Sequence, residues 1–198
     1  MMLPSGAGGR TTTTVGYFEC ELGAFVNWLD GGFDDTWKVR AAPGWASLAD
    51  AASYLAPSVP LSRYACVAVG SWTLLLNNGP LGTDVGVLPR YAARELECRA
   101  IRAVCNEEDY PARMLDVYGP KGDSENGLER SVAAANDGGR WIFETYGEPF
   151  SFEDQSFYKR RVKAERFPSS LLYQYLRALH VPIDVEPWWS TAVLVEQV

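Results

Sequence analysis

A chain of 198 residues with 47% hydrophobic and 22% charged side chains has the composition of one globular domain with a substantial core, which excludes an intrinsically disordered chain. The 25 Asp and Glu against 18 Lys and Arg give a formal net charge of −7, a balance that repels phosphate backbones and argues against a nucleic-acid partner unless the cations cluster. No run approaches the ~18 apolar residues of a membrane span, and no charged segment leading into an apolar one marks a secretory leader, so the expected compartment is the cytoplasm.

Residues 1–14, rich in Gly, Ser and Thr, read as a mobile arm, and 15–198 as a single domain. Val15 to Glu21 is a short strand. Phe25, Val26, Trp28 and Leu29 gather before Gly31-Gly32, as in a short helix ended by glycine. Phe33 to Trp37 is acidic and aromatic, a loop or an edge. Apolar residues at 45, 48, 51, 52 and 55 have helical spacing, and Pro57 and Pro60 stop that helix. Tyr64–Val69 and Trp72–Leu76 are strand-like around Gly70-Ser71, which reads as a bulge in one long strand or as a break. Asn77-Asn78-Gly79-Pro80 is a turn.

Pro89 to Glu97 carries helix formers behind a first-turn proline. Cys98 to Cys105 and Ala112 to Tyr118 are strands, followed by a polar loop over Gly119–Gly127. The clearest hairpin is Glu129–Ala135 and Arg140–Tyr146 around Asn136-Asp137-Gly138-Gly139, because these turn residues accept positive φ. Ser151 with Glu153 and Asp154 predicts a capped helix over Phe152–Phe167. A second helix over Leu171–Leu179 shows an apolar stripe at 171, 172, 175, 176 and 179. The tail after Pro187-Trp188-Trp189 closes as an edge strand. These elements predict an α+β fold: a mostly antiparallel sheet of five or six strands with flanking N-terminal and C-terminal helices.

The chemistry is sparse. Cys20, Cys66, Cys98 and Cys105 form no C-x-x-C pair, and reduced, mostly buried thiols are expected. Cys98 and Cys105 are seven apart, which places them on opposite faces of a strand. His180, the lone histidine, follows a helix end, so capping is the plainer role and no metal site or nucleophilic triad forms around it. Gly119 to Ser124 lacks the spacing of a phosphate loop. Glu19 and Glu21 put two carboxylates on one strand face, an arrangement some transferases use but common on exposed strands. Lys159-Arg160-Arg161-Val162-Lys163, with Arg166 beyond, is the dense basic run. It reads as a solvated helix face more readily than as a nucleic-acid stripe. No catalytic, cofactor or metal-binding residue is therefore predicted.

Two acidic–aromatic segments are the candidate partner-binding residues: Phe33, Asp34, Asp35 and Trp37, and then Glu107, Glu108 and Asp109 beside Tyr110. Acidic groups next to exposed aromatics can hold a basic protein, since charge speeds encounter and the rings anchor. A solvated loop accounts for either segment as well.

Several residues also form a pattern: Trp72, Asn77-Asn78, Leu96-Glu97-Cys98-Arg99-Ala100, Arg130-Ser131 and Asp137-Gly138-Gly139-Arg140-Trp141-Ile142-Phe143. It continues through Gly147–Phe152, Tyr158, Arg160-Arg161, Arg166-Phe167 and Leu171–Leu179. Over Trp72–Ile183 this pattern resembles a family of bacterial immunity-type proteins encoded beside polymorphic toxins. The resemblance implies a cytoplasmic, non-enzymatic protein that binds a cognate toxin domain and blocks its active site or substrate access. It names no contact residue. Trp72, Trp141 and Phe143 are expected to fill the core whatever the function, with Arg140 and Arg166 pairing with carboxylates. The alternative is a small-ligand-binding protein or a carboxylate-dependent enzyme of unknown substrate.

Overall fold

The fold is that of a computed structural model, which describes residues 14–32, 35–55, 61–78, 85, 87–107, 111–120 and 127–198. Among the described residues, nine strands form one antiparallel sheet: β1 Thr14–Phe18, β2 Trp37–Ala41, β3 Arg63–Val69, β4 Trp72–Asn77, β5 Ala100–Asn106, β6 Ala112–Tyr118, β7 Leu128–Asp137, β8 Arg140–Tyr146 and β9 Val193–Gln197. Their spatial order is β2-β9-β3-β4-β1-β5-β6-β7-β8. Four α-helices complete the described chain: α1 Leu22–Gly32, α2 Leu48–Leu55, α3 Leu88–Glu95 and α4 Ser169–Ala178. The α+β class agrees with the sequence pattern. The strand count exceeds the expected five or six: β3 and β4 are two strands of a hairpin, and β2 and β9 extend the sheet beyond β3.

The sheet buries both faces, because alternating side chains on each strand meet helices on opposite sides. On the first face, Tyr17, Val67, Leu74, Ile101, Leu115 and Val132 pack with Leu55 of α2 and Leu172, Tyr175 and Leu176 of α4. On the second, Phe18, Cys66, Leu75 and Ala100 pack with Phe25 and Leu29 of α1 and Ala92 and Ala93 of α3. The Trp28 indole N–H donates to Glu95 at 2.8 Å, tying α1 to α3.

Three expectations are corrected. Gly70-Ser71 is neither a bulge nor a simple break: it is the turn of a tight β3–β4 hairpin, with Val69 opposite Trp72 and Gly70 at φ +57°. The C-terminal strand β9 is internal, between β2 and β3; Leu194 and Val195 are buried on opposite faces, as an internal strand requires. The segment 151–167 is not a helix. It runs as turns with two short 3₁₀ segments, Phe157–Lys159 and Lys163–Glu165. Its neighbours Phe152 and Glu153 both turn inward, Phe152 against the ring of Tyr175 and Glu153 onto Arg130.

The two helix ends at Leu96 and Leu179 are closed by backbone. Glu97 and His180 adopt φ +50° and +60°, and the amides of Cys98 and Val181 reach back to Ala93 and Leu176 at 3.2 and 2.9 Å. Both are Schellman closures with a non-glycine residue in the left-handed position. His180 thus ends α4 through its backbone conformation.

Candidate functional site

Of the predicted partner-binding residues, the described ones, Asp35, Trp37 and Glu107, fall at one end of the sheet, the end where β1 begins. The registers of β1 with β4 and β5, and of β9 with β2 and β3, put the start of β2 and the end of β5 at this same end. Asp35 is exposed in the turn that leads into β2. Trp37 opens β2 half-buried, its ring stacked on Tyr64 at 5.5 Å and 10°. Glu107 follows β5 and binds the Arg113 guanidinium through two hydrogen bonds, the Nε one at 3.1 Å. Arg113 in turn lies 5.1 Å from the centre of the Trp141 ring. Phe33, Asp34, Glu108 and Asp109 lie outside the described residues.

In the strand order, β2 and β5 are five positions apart. At ~4.8 Å per strand the two segments stand roughly 24 Å from one another. That is too far to converge on a small ligand. It is close to the width of a standard protein interface patch of about 800 Å² per partner. Loops held on a rigid sheet are also the usual carriers of recognition.

Part of the pattern, Arg130, Gly147, Phe150, Tyr158 and Tyr175, gathers elsewhere, around a buried ion pair. Arg130 of β7 donates from Nε and Nη2 to the Glu153 carboxylate at 2.8 and 2.7 Å, and both side chains are no more than 2% exposed. Arg130 Nη1 donates to the carbonyls of Tyr146 and Gly147. Glu153 also accepts from the Phe150 amide and the Tyr158 hydroxyl, and Tyr158 meets Tyr175 at 3.1 Å. Burial works against the charge on Arg130, yet the Glu153 carboxylate outweighs it and raises the guanidinium pKa. Burial first, then hydrogen bonds to Tyr175 and Glu153, keeps the Tyr158 phenol protonated. All three guanidinium nitrogens donate to protein acceptors, so the network is structural: it moulds 147–158 against the sheet.

The basic run follows this segment, with Lys159, Arg160 and Arg161 exposed. Arg160 lies 3.7 Å from the centre of the Phe157 ring, and Arg166 lies 5.5 Å from that of Phe143 while donating to the Arg160 carbonyl at 2.8 Å. Arg166 is therefore held by a ring and a carbonyl, where a carboxylate was expected. Trp72 is buried in the core, while Trp141 and Phe143 pack at its margin. Sequence reading missed the Arg130–Glu153 pair; its signal was one Arg on an otherwise alternating apolar strand face, at even positions with Val132 and Ala134.

The described residues hold no cluster of three or more His, Cys, Asp or Glu placed to bind a metal, and no described helix is long and apolar enough to cross a membrane. The Tyr17 hydroxyl is buried without a hydrogen-bond partner, and burial raises its pKa. No protein-family model, curated protein or solved structure matches the chain.

Proposed function

We propose that this protein is an immunity-type inhibitor that binds a cognate bacterial toxin domain in the cytoplasm and obstructs its active site or the approach of its substrate. The observation that carries the reading is the placement of Asp35 and Glu107 at the same end of one continuous sheet, a partner-sized distance apart. The net charge of −7 favours encounter with a basic partner. Trp37 and Trp141, beside these carboxylates, are the kind of rigid aromatic that anchors an interface.

The test is affinity capture from native cells with partner stoichiometry measured, followed by co-expression. A near-equimolar partner whose isolated domain arrests growth, with growth restored by this protein, supports the inhibitor. A captured partner that is not toxic, or whose toxicity this protein leaves unchanged, overturns it.

A further inference from the structure

We propose that Cys20 and Cys98 form an oxidant-responsive dithiol, whose closure to a disulfide staples the entry of α1 to the exit of α3. The residues are 78 apart in sequence, but the fold brings them face to face. Phe18 of β1 pairs with Ala100 of β5. The ladder then extends one step, with the Glu19 amide donating to the Arg99 carbonyl at 2.9 Å and the Arg99 and Glu19 side chains 3.9 Å apart. The chain then bends at Cys20, whose amide turns back to the Phe18 carbonyl at 2.8 Å, and the Cys20 and Cys98 thiols come within hydrogen-bonding reach of each other. Cys20 packs on the same face as Phe18 and Ala100, and thiols in mutual contact are the starting point that disulfide geometry needs.

Both backbones are held. The Thr73 hydroxyl donates to the Cys20 carbonyl at 2.9 Å. Cys98 is the residue whose amide closes α3 onto Ala93 at 3.2 Å, behind Glu97 at φ +50°. Each sulfur senses the other: the Cys20 thiol favours ionisation at Cys98, and Cys20 in turn is held protonated. Easier ionisation makes Cys98 the thiol that meets the oxidant, with Cys20 beside it to close the disulfide. Selectivity follows from burial. Cys20 is partly exposed and Cys98 is 7% exposed, whereas Cys66 and Cys105 are 0% and 1% exposed.

With hydrogen peroxide as oxidant, the Cys98 thiolate attacks one peroxide oxygen, the O–O bond breaks, and hydroxide leaves. The sulfenic acid at Cys98 is then displaced by the Cys20 sulfur, forming the S–S bond. The Cys20 proton and the departing hydroxyl leave as water. Two thiols and one peroxide thus give one disulfide and two waters.

The experiment treats the native full-length protein with a small excess of peroxide, blocks remaining thiols with N-ethylmaleimide and maps peptides by mass spectrometry. The expected product is one Cys20–Cys98 linked peptide, reversible by dithiothreitol, with Cys66 and Cys105 reduced. Closing so long a loop raises Tm by about 10 °C, and C20S, melting like the reduced wild type, loses that rise. If C20S does not fold, the wild-type peptide map alone decides. Alkylated or over-oxidised Cys20 and Cys98 without the linked peptide would overturn the proposal, as would linkage to Cys66 or Cys105.

Discussion

The Arg130 guanidinium and the Glu153 carboxylate meet through two parallel hydrogen bonds of 2.8 and 2.7 Å beneath the surface. They are 23 residues apart, one near the start of β7 and the other in a segment without regular structure. The pair gives 147–158 a single conformation that its own backbone does not specify. Breaking such a pair strands a buried charge, whereas replacing both ions by apolar groups does not.

Glu153→Gln or Arg130→Met should therefore lower stability by about 3–5 kcal/mol and Tm by about 10 °C. The double variant R130M/E153L should recover more than half of that loss. Calorimetry on the three proteins tests this, and a double variant no more stable than the singles would show that the hydrogen bonds, not the stranded charge, dominate.

Gly147 stands at φ +76°, where an added Cβ would overlap the Glu129 carbonyl oxygen and sit 3.0 Å from its carbon. Gly138, at φ +57°, has open space around it. Gly147→Ala should cost about 3 kcal/mol or more, since both conformation and space oppose it. Gly138→Ala should cost about 1 kcal/mol, for the conformation alone. Equal losses in urea denaturation would refute the steric argument at Gly147.

The start of α2 carries a reciprocal cap, in which the Asp50 amide donates to Ser47 Oγ at 3.2 Å and Asp50 accepts from the Ala46 amide at 2.9 Å. The hydrogen bond from Ala46, then that from Ser47, lowers the Asp50 pKa. A carboxyl depressed in the folded state stabilises above its unfolded pKa of about 3.9, and the contribution fades as pH falls through the lower folded value. Asp50→Asn should therefore flatten part of the acid-side loss of stability below pH ~4 and leave the neutral-to-alkaline limb parallel to wild type. An unchanged acid limb in denaturation curves measured across pH would show that Asp50 contributes nothing to that loss.

Charge reversal tests the proposed interface. Asp35 is exposed in a turn and has no ion pair among those of the described residues, so Asp35→Lys alters charge with little effect on folding. It should weaken toxin binding several-fold, mostly through slower association, and reduce the dependence on salt. Glu107→Lys should weaken binding too, but also release Arg113 from its carboxylate. Surface plasmon resonance at two ionic strengths separates these effects. Unchanged association rates in both variants would place the interface on another surface.

Local pattern alone determined much of this fold. The apolar stripe of α4 and the Gly138-Gly139 hairpin both follow from spacing within one segment, where the helical and strand periods act directly. The candidate residues Asp35, Trp37 and Glu107 were legible by type, but their common end of the sheet was not. Tertiary structure decided what depended on distant partners. Val193-Leu194-Val195 became internal because β2 covers the edge that β9 would otherwise expose. Ser151, Glu153 and Asp154 look like the start of a helix, yet Arg130 claims the Glu153 carboxylate and the helix does not form. A helix cap is worth about 1 kcal/mol, whereas an unpaired buried Arg130 would cost several times that. The stronger interaction joins two segments distant in sequence, where no local reading reaches it.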